Sequence, residues 1–152
     1  MPVTLKDWAT KHNLKEEKTS RQEIAELLRL ADEKLEDCRI VSEAHTSMDH
    51  YHETVHGASI PIATASLRAE GYRVTKEVKK GHELLFKGLT FTVDRGSNYY
   101  SPLQVARIVR NQITYSSVGN HKKPDIDKLL GSIRQLRADV EKWLGREHPD
   151  LI

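Results

Sequence analysis

The sequence predicts an all-α fold, an up-and-down bundle of four principal helices with short extra helices. Three observations predict it. Apolar residues recur at spacings of three and four through several long segments. Three of those segments open on serine or Ser-Pro signals suited to helix starts (Ser20, Ser47, Ser101-Pro102). The one strand-like alternation, Leu89, Phe91 and Val93, has no second strand signal nearby to pair with. At 152 residues the chain reads as one domain over 1–152, and a domain of this size buries roughly 68–70% of its unfolded surface.

Taken in order, Thr4 to His12 predicts a short helix with Leu5, Trp8 and Ala9 on one side, followed by a charged linker, KEEK. Ser20 with Glu23 three residues on is a capping box. It opens the strongest helix, whose stripe runs through Ile24, Leu27, Leu28, Ala31, Leu35, Cys38 and Val41 to about Ala44. Ser47 caps a third helix that runs to Glu70 and closes on Gly71. Its apolar positions are Tyr51, Val55, Ala58, Ile62, Ala65 and Leu67, and Pro61 within it predicts a kink without a break. Small residues around Pro61 (Gly57, Ala58, Ser59, Ala63, Ala65, Ser66) predict close approach of another helix. A shorter helix follows Gly81 through Leu84, Leu85 and Leu89, and a loop then extends to Tyr100. Ser101-Pro102 starts a helix carrying Leu103, Ala106, Ile108, Val109 and Ile113. After the linker SSVGNHKKPD, the last helix begins near Asp125 with Ile126, Leu129, Leu130, Ile133, Leu136, Val140, Trp143 and Leu144.

Bulk properties exclude more than they assign. No apolar run approaches the roughly 18 residues of a membrane span, and the first residues lack the apolar core of a signal peptide. The single Cys38 rules out an internal disulfide framework and fits a reducing cytoplasm. It lies on the apolar stripe, which makes it a core residue. A net charge of +2 is too mild to argue nucleic-acid binding by itself. Lys76, Lys79 and Lys80 read as a solvated loop, of interest only beside a phosphate site.

Two motifs carry chemistry. His52-Glu53-Thr54-Val55-His56 is a literal H-E-x-x-H, which on a helix sets two imidazoles on one face for zinc and leaves Glu53 as general base. A catalytic zinc needs a third ligand, and Glu70, fourteen residues past His56, sits about 21 Å along the helix. The chain has eight histidines, so a chance match is easy. No metal or other cofactor is expected, and His45, His50, His52 and His56 read as a polar helix face.

The second motif is RIVRNQITY, Arg107 to Tyr115. Asn111 and Tyr115, four apart, share a helix face, whereas Arg110 and Tyr115 lie about 140° apart. An Arg-Asn pair one turn before a polar ring can hold a phosphate, with Arg107 and Arg110 as its cations. The bland alternative has Arg110 paired with a carboxylate on a neighbouring helix and Asn111 bonded to backbone.

Four separated stretches together resemble the HEPN family, the helical domain named for nucleotide binding in higher eukaryotes and prokaryotes. PVTLKDW with SRQEIAELLRLADEKLEDCRI resembles the first long helix of prokaryotic members. SMDHYHETVHGASIPIATASLRAEGYR resembles the second, above all in its ending, and GHELLFKGL resembles the start of the next. RIVRNQITY falls where the family carries Arg-Asn-x-x-x-His. The likeness runs over about residues 3 to 144.

The resemblance implies a homodimer of helical bundles whose motifs meet in a cleft. In active members that cleft cuts RNA without metal: the arginine stabilises phosphate charge, the asparagine orients the motif, and the histidine moves the 2′-hydroxyl proton. Many members are toxins paired with a nucleotidyltransferase-type antitoxin, and others have lost catalysis. Carried across, Arg110 and Asn111 match, while Tyr115 takes the histidine position. A phenol of pKa near 10 is about 0.1% ionised at neutral pH, whereas an imidazole near 6.5 is poised to exchange protons. Losing that exchange removes about 10²–10⁴-fold of rate. His121, six residues past Tyr115, is a further proton carrier within reach only if the chain folds back. The expectation is a protein that binds RNA, a nucleotide or a partner in a toxin–antitoxin or defence setting without efficient catalysis. Its rivals are a metal-independent endoribonuclease and a purely structural helical dimer.

Overall fold

The computed structural model describes residues 3–75, 80–93, 99–115 and 122–152, with the side chains of 109–115 excepted. Six helices are described: α1 (Leu5–Lys11), α2 (Arg21–Glu43), α3 (Met48–Ala69), α4 (Gly81–Gly88), α5 (Tyr100–Tyr115) and α6 (Lys123–Glu147). Two-residue strands β1 (Lys15–Glu16) and β2 (Tyr72–Arg73) add a small clasp, and 3₁₀ turns cover Leu89–Phe91 and Pro149–Leu151. The all-α bundle expected from periodicity is the observed architecture.

The bundle is built around α3, which packs against α2, α4, α5 and α6. It has little choice but to be central: Val55, Ala58, Ile62, Ala63, Ala65 and Leu67 are all buried, and they span more than one face. The small residues Ala58 and Ala65, on the same side of α3 as Thr54 and Arg68, let α2 lie close along α3 between the Cys38–Thr54 and Glu23–Arg68 contacts. Thr4 and Ser20 cap α1 and α2 by accepting from the N–H groups of Asp7 and Glu23, and Ser47 accepts from His50 N–H to start α3. Each satisfies one of the donors a helix start leaves without an intrahelical partner. Pro61 lacks the N–H that would bond Gly57, yet α3 runs through it unbroken.

On α2, Ile24, Leu28, Ala31, Leu35 and Cys38 face the core, and on α6 Ile126, Leu130, Ile133, Leu136, Val140, Trp143 and Leu144 do the same. Both patterned stripes therefore pack on α3, and α2 and α6 also touch each other. Cross-helix polar ties fix their register: the Tyr51 hydroxyl donates to Asp127 Oδ1 at 2.6 Å, and Arg137 grips Asp32 of α2 through Nε at 2.9 Å and Nη2 at 3.1 Å.

Three local expectations are corrected. Residues read as a charged linker form β1, which pairs antiparallel with β2 in the register Lys15↔Arg73 and Glu16↔Tyr72. Gly71, at φ +93°, makes the turn from α3 into β2, a backbone region that glycine enters without steric cost. The segment after Gly88 begins with a 3₁₀ turn, not a loop. Gly88 itself lets α4 seat closely, because an added Cβ would lie 3.3 Å from a Leu67 methyl and 3.7 Å from the Trp8 ring. On α5, Leu103 and Ala106 enter the core but Ile108 does not: it is 44% exposed, and Val105 is 59% exposed.

Candidate functional site

Helix α5 holds the Arg-Asn-x-x-x-Tyr motif on one unbroken helical segment, Tyr100–Tyr115, so Asn111 and Tyr115 stand one turn apart and Arg110 adjoins Asn111. The helix packs against α3 and α4. The side chains of Arg110, Asn111 and Tyr115, and the whole of Lys76, Lys79 and His121, lie outside the described residues.

Arg107 is described, and it faces a cleft. Its Nε donates to Gln104 Oε1 at 3.1 Å, and Gln104 Nε2 donates to Glu83 Oε1 at 3.4 Å. Arg107 Nη2 lies 3.8 Å from the other Glu83 oxygen. A Gln104–Glu83 pair on α5 and α4 thus steers the guanidinium without fully neutralising it at that distance. The cleft holds about 490 Å³, and its walls include Thr64, Arg68, Arg73, Lys80, Glu83 and Arg107.

Two of those arginines are committed to holding the fold. Arg68 is 1% exposed. Its Nε donates to Glu23 Oε1 at 2.8 Å, and its Nη1 and Nη2 donate to the Glu17 and Lys18 carbonyls at 2.8 and 3.0 Å. Arg73 bonds Glu17 through Nε and Glu23 Oε2 through Nη2, the latter at 2.7 Å. A buried guanidinium requires this degree of pairing. Burial pushes the Glu23 carboxyl upward, but hydrogen bonds from Thr19, Arg73 and Arg68 overcome it and hold the group down at about 2. The hydrogen bond from Arg73 holds the Glu17 carboxyl below the usual carboxylate range as well. Glu23, whose backbone completes half of the predicted capping box, therefore spends its side chain on the arginines that clasp β1, β2 and the end of α3.

The histidines do not form the polar face that their composition suggested. His45 and His50 are exposed, but His52 and His56 are buried. The two buried rings stack with centroids 6.5 Å apart and 12° between planes, and His56 meets Phe86 edge-on at 5.6 Å. Glu53 is exposed. Among the described residues, no three His, Cys, Asp or Glu side chains converge as ligands for a metal ion. Cys38 is fully buried as expected. Its thiol lies 3.5 Å from the Thr54 carbonyl, and burial raises its pKa to about 11, which makes it a poor nucleophile.

Sequence reasoning missed Arg68 and Glu23. The signal was present: Arg68 falls three residues past Ala65 on the apolar register of α3, and a charge on a core stripe must find a partner. Among the described residues no helix is long and apolar enough to cross a membrane. No protein-family model, no curated protein and no solved structure matches the chain.

Proposed function

We propose that the chain is a HEPN-like helical protein that binds RNA or a nucleotide through the Arg107–Tyr115 segment of α5 and does not cut it efficiently. The observation that carries this reading is the continuity of α5 through Tyr115, beside a cleft into which Arg107 brings an incompletely neutralised guanidinium. Arg110 and Asn111 supply the phosphate contact. A guanidinium can meet two phosphate oxygens at once, and that geometry suits it better than an ammonium. Tyr115 supplies a hydrogen-bond donor and a stacking ring but no proton exchange near neutral pH.

The protein acts as a homodimer in a toxin–antitoxin or defence setting, with a nucleotidyltransferase-type protein as its natural partner. An outward apolar patch supports the dimer. Val105 and Ile108 are both exposed on α5, beside a groove of about 440 Å³ whose walls include Val105, Ala106, Ile126 and Leu129. Apolar side chains gathered in this way are a recurrent mark of protein contacts.

The test is binding of labelled single-stranded RNA and of a nucleoside triphosphate in EDTA by wild type and Arg110→Ala. Retention by wild type that falls at least tenfold in the variant, with unchanged helicity, is the expected result. Equal retention by both would remove α5 as the site.

A further inference from the structure

The cleft at Arg107 has a neighbour. A second cleft, of about 830 Å³, runs between the end of α1, helix α4 and the start of α5. The two share Thr75, Lys80 and Glu83, so Lys80 stands at their junction. Lys80 holds a left-handed backbone at φ 58°, and Asn13, on the wall of the second cleft, holds the same conformation. At Asn13 this is the ordinary close of a helix, with Asn13 N–H bonded to the Thr10 carbonyl and Leu14 N–H to the Ala9 carbonyl; at Lys80 it is uncommon outside glycine.

Charge is concentrated along this groove. Once Arg68 and Arg73 are set against Glu17 and Glu23, the walls still carry Lys11, Lys80, Lys87 and Arg107 against the single carboxylate of Glu83. Those cations outweigh the net +2 of the whole chain, so the remainder of the protein is slightly acidic. Among the described residues no ion pair engages Lys11, Lys80 or Lys87. Lys87 is instead placed over the Tyr100 ring, 5.0 Å from its centroid.

We propose that the joined clefts are a track for the phosphodiester backbone of a single-stranded polynucleotide, held by Lys11, Lys80, Lys87 and Arg107. This deepens the α5 reading and rests on it for the class of ligand. A small-molecule site occupies about 300–1,000 Å³, and two such volumes in series exceed what one nucleotide needs. Several cations spread over two adjoining clefts suit a chain that carries one charge per residue. The site is concave, so a flexible strand can enter where a rigid duplex cannot. Net charge alone could not reveal the track, because its cations come from α1, α4 and α5 and meet only on folding.

The experiment is fluorescence anisotropy of a short labelled oligouridylate with wild type, Lys11→Gln/Lys87→Gln and Arg110→Ala, at several salt concentrations. Circular dichroism on each confirms folding. Glutamine is chosen because Lys11 and Lys87 also sit in the last turns of α1 and α4, where cations favour the helix and a carboxylate would oppose it.

Four backbone contacts predict a log–log salt slope of about −3 for a single strand, halved to about −1.5 in the double variant, with at least tenfold weaker binding. Loss in both variants supports the track and the α5 reading together. Loss in the lysine variant alone supports the track and removes the α5 motif. Loss in Arg110→Ala alone overturns the track and leaves the motif standing. Equal affinity for duplex RNA, or no binding by folded wild type, also overturns the track.

Discussion

Glu23→Gln probes the Arg68–Arg73 clasp, since it keeps the side chain's shape while removing the charge and turning one acceptor oxygen into an NH2 donor. In the folded protein the Glu23 carboxyl lies at about 2, against an ordinary 4.5. At about 1.36 kcal/mol per tenfold, that difference corresponds to roughly 3 kcal/mol. The side chain is 28% exposed, so solvent screening lowers the expected effect to about 2 kcal/mol.

The sign follows from linkage. A carboxyl depressed by folding stabilises above its unfolded pKa, and that stability is lost as pH falls through the folded one. Urea unfolding followed by circular dichroism should therefore place wild type about 2 kcal/mol above Glu23→Gln at pH 7. The gap should begin to close below about 4.5 and be nearly gone as pH approaches about 2. A gap that is absent at pH 7, or that stays constant down to the acid limit, would refute the claim that the ionised carboxylate holds Arg68 and Arg73.

Other consequences are as direct. Cys38 should resist Ellman's reagent in the folded protein and react at once in denaturant, because its thiol is buried and its pKa raised to about 11; rapid reaction of native protein would contradict its place in the core. Val105→Asp combined with Ile108→Asp should reduce the mass measured by light scattering from two chains to one while leaving helicity intact, and an unchanged mass would remove this face as the dimer contact. Gly71→Ala should cost about 1 kcal/mol or more, read by urea midpoint, since φ there is +93° and nothing near the site obstructs a methyl group. A neutral effect would mean that the turn into β2 relaxes freely.

The sequence made the bundle legible wherever one apolar stripe faced one neighbour. Ile24 to Cys38 and Ile126 to Leu144 repeat at helical spacing, and both stripes are buried apart from Leu27, Val41 and Leu129, which are half-buried at their edges. Helix α5 was harder because its apolar residues lie on more than one face. Val105 falls about 200° from Leu103 around the axis, and periodicity cannot say which face meets the core. The β1–β2 clasp was invisible for a different reason. Two-residue strands carry no pattern, and this pair is fixed by arginines that reach back some fifty residues to Glu17 and Glu23.

The burial of His52 and His56 follows from their position rather than their residue type. They lie in register with Val55, Ser59 and Ile62 of the core helix. Of the candidate site, the helix that carries Arg107 was legible, but the cleft Arg107 faces was not. Nor was the groove beyond it, because its cations come from separate elements that only folding assembles.

The central claim is tested most directly by incubating end-labelled single-stranded RNA in EDTA with wild type, Arg110→Ala and Tyr115→His, and resolving bound and cleaved RNA on the same day's gels. Wild type should shift the RNA and leave it intact, Arg110→Ala should fail to shift it, and Tyr115→His should gain cleavage by restoring an imidazole. Cleavage by wild type that disappears in Arg110→Ala would contradict the reading and make the protein a metal-independent ribonuclease.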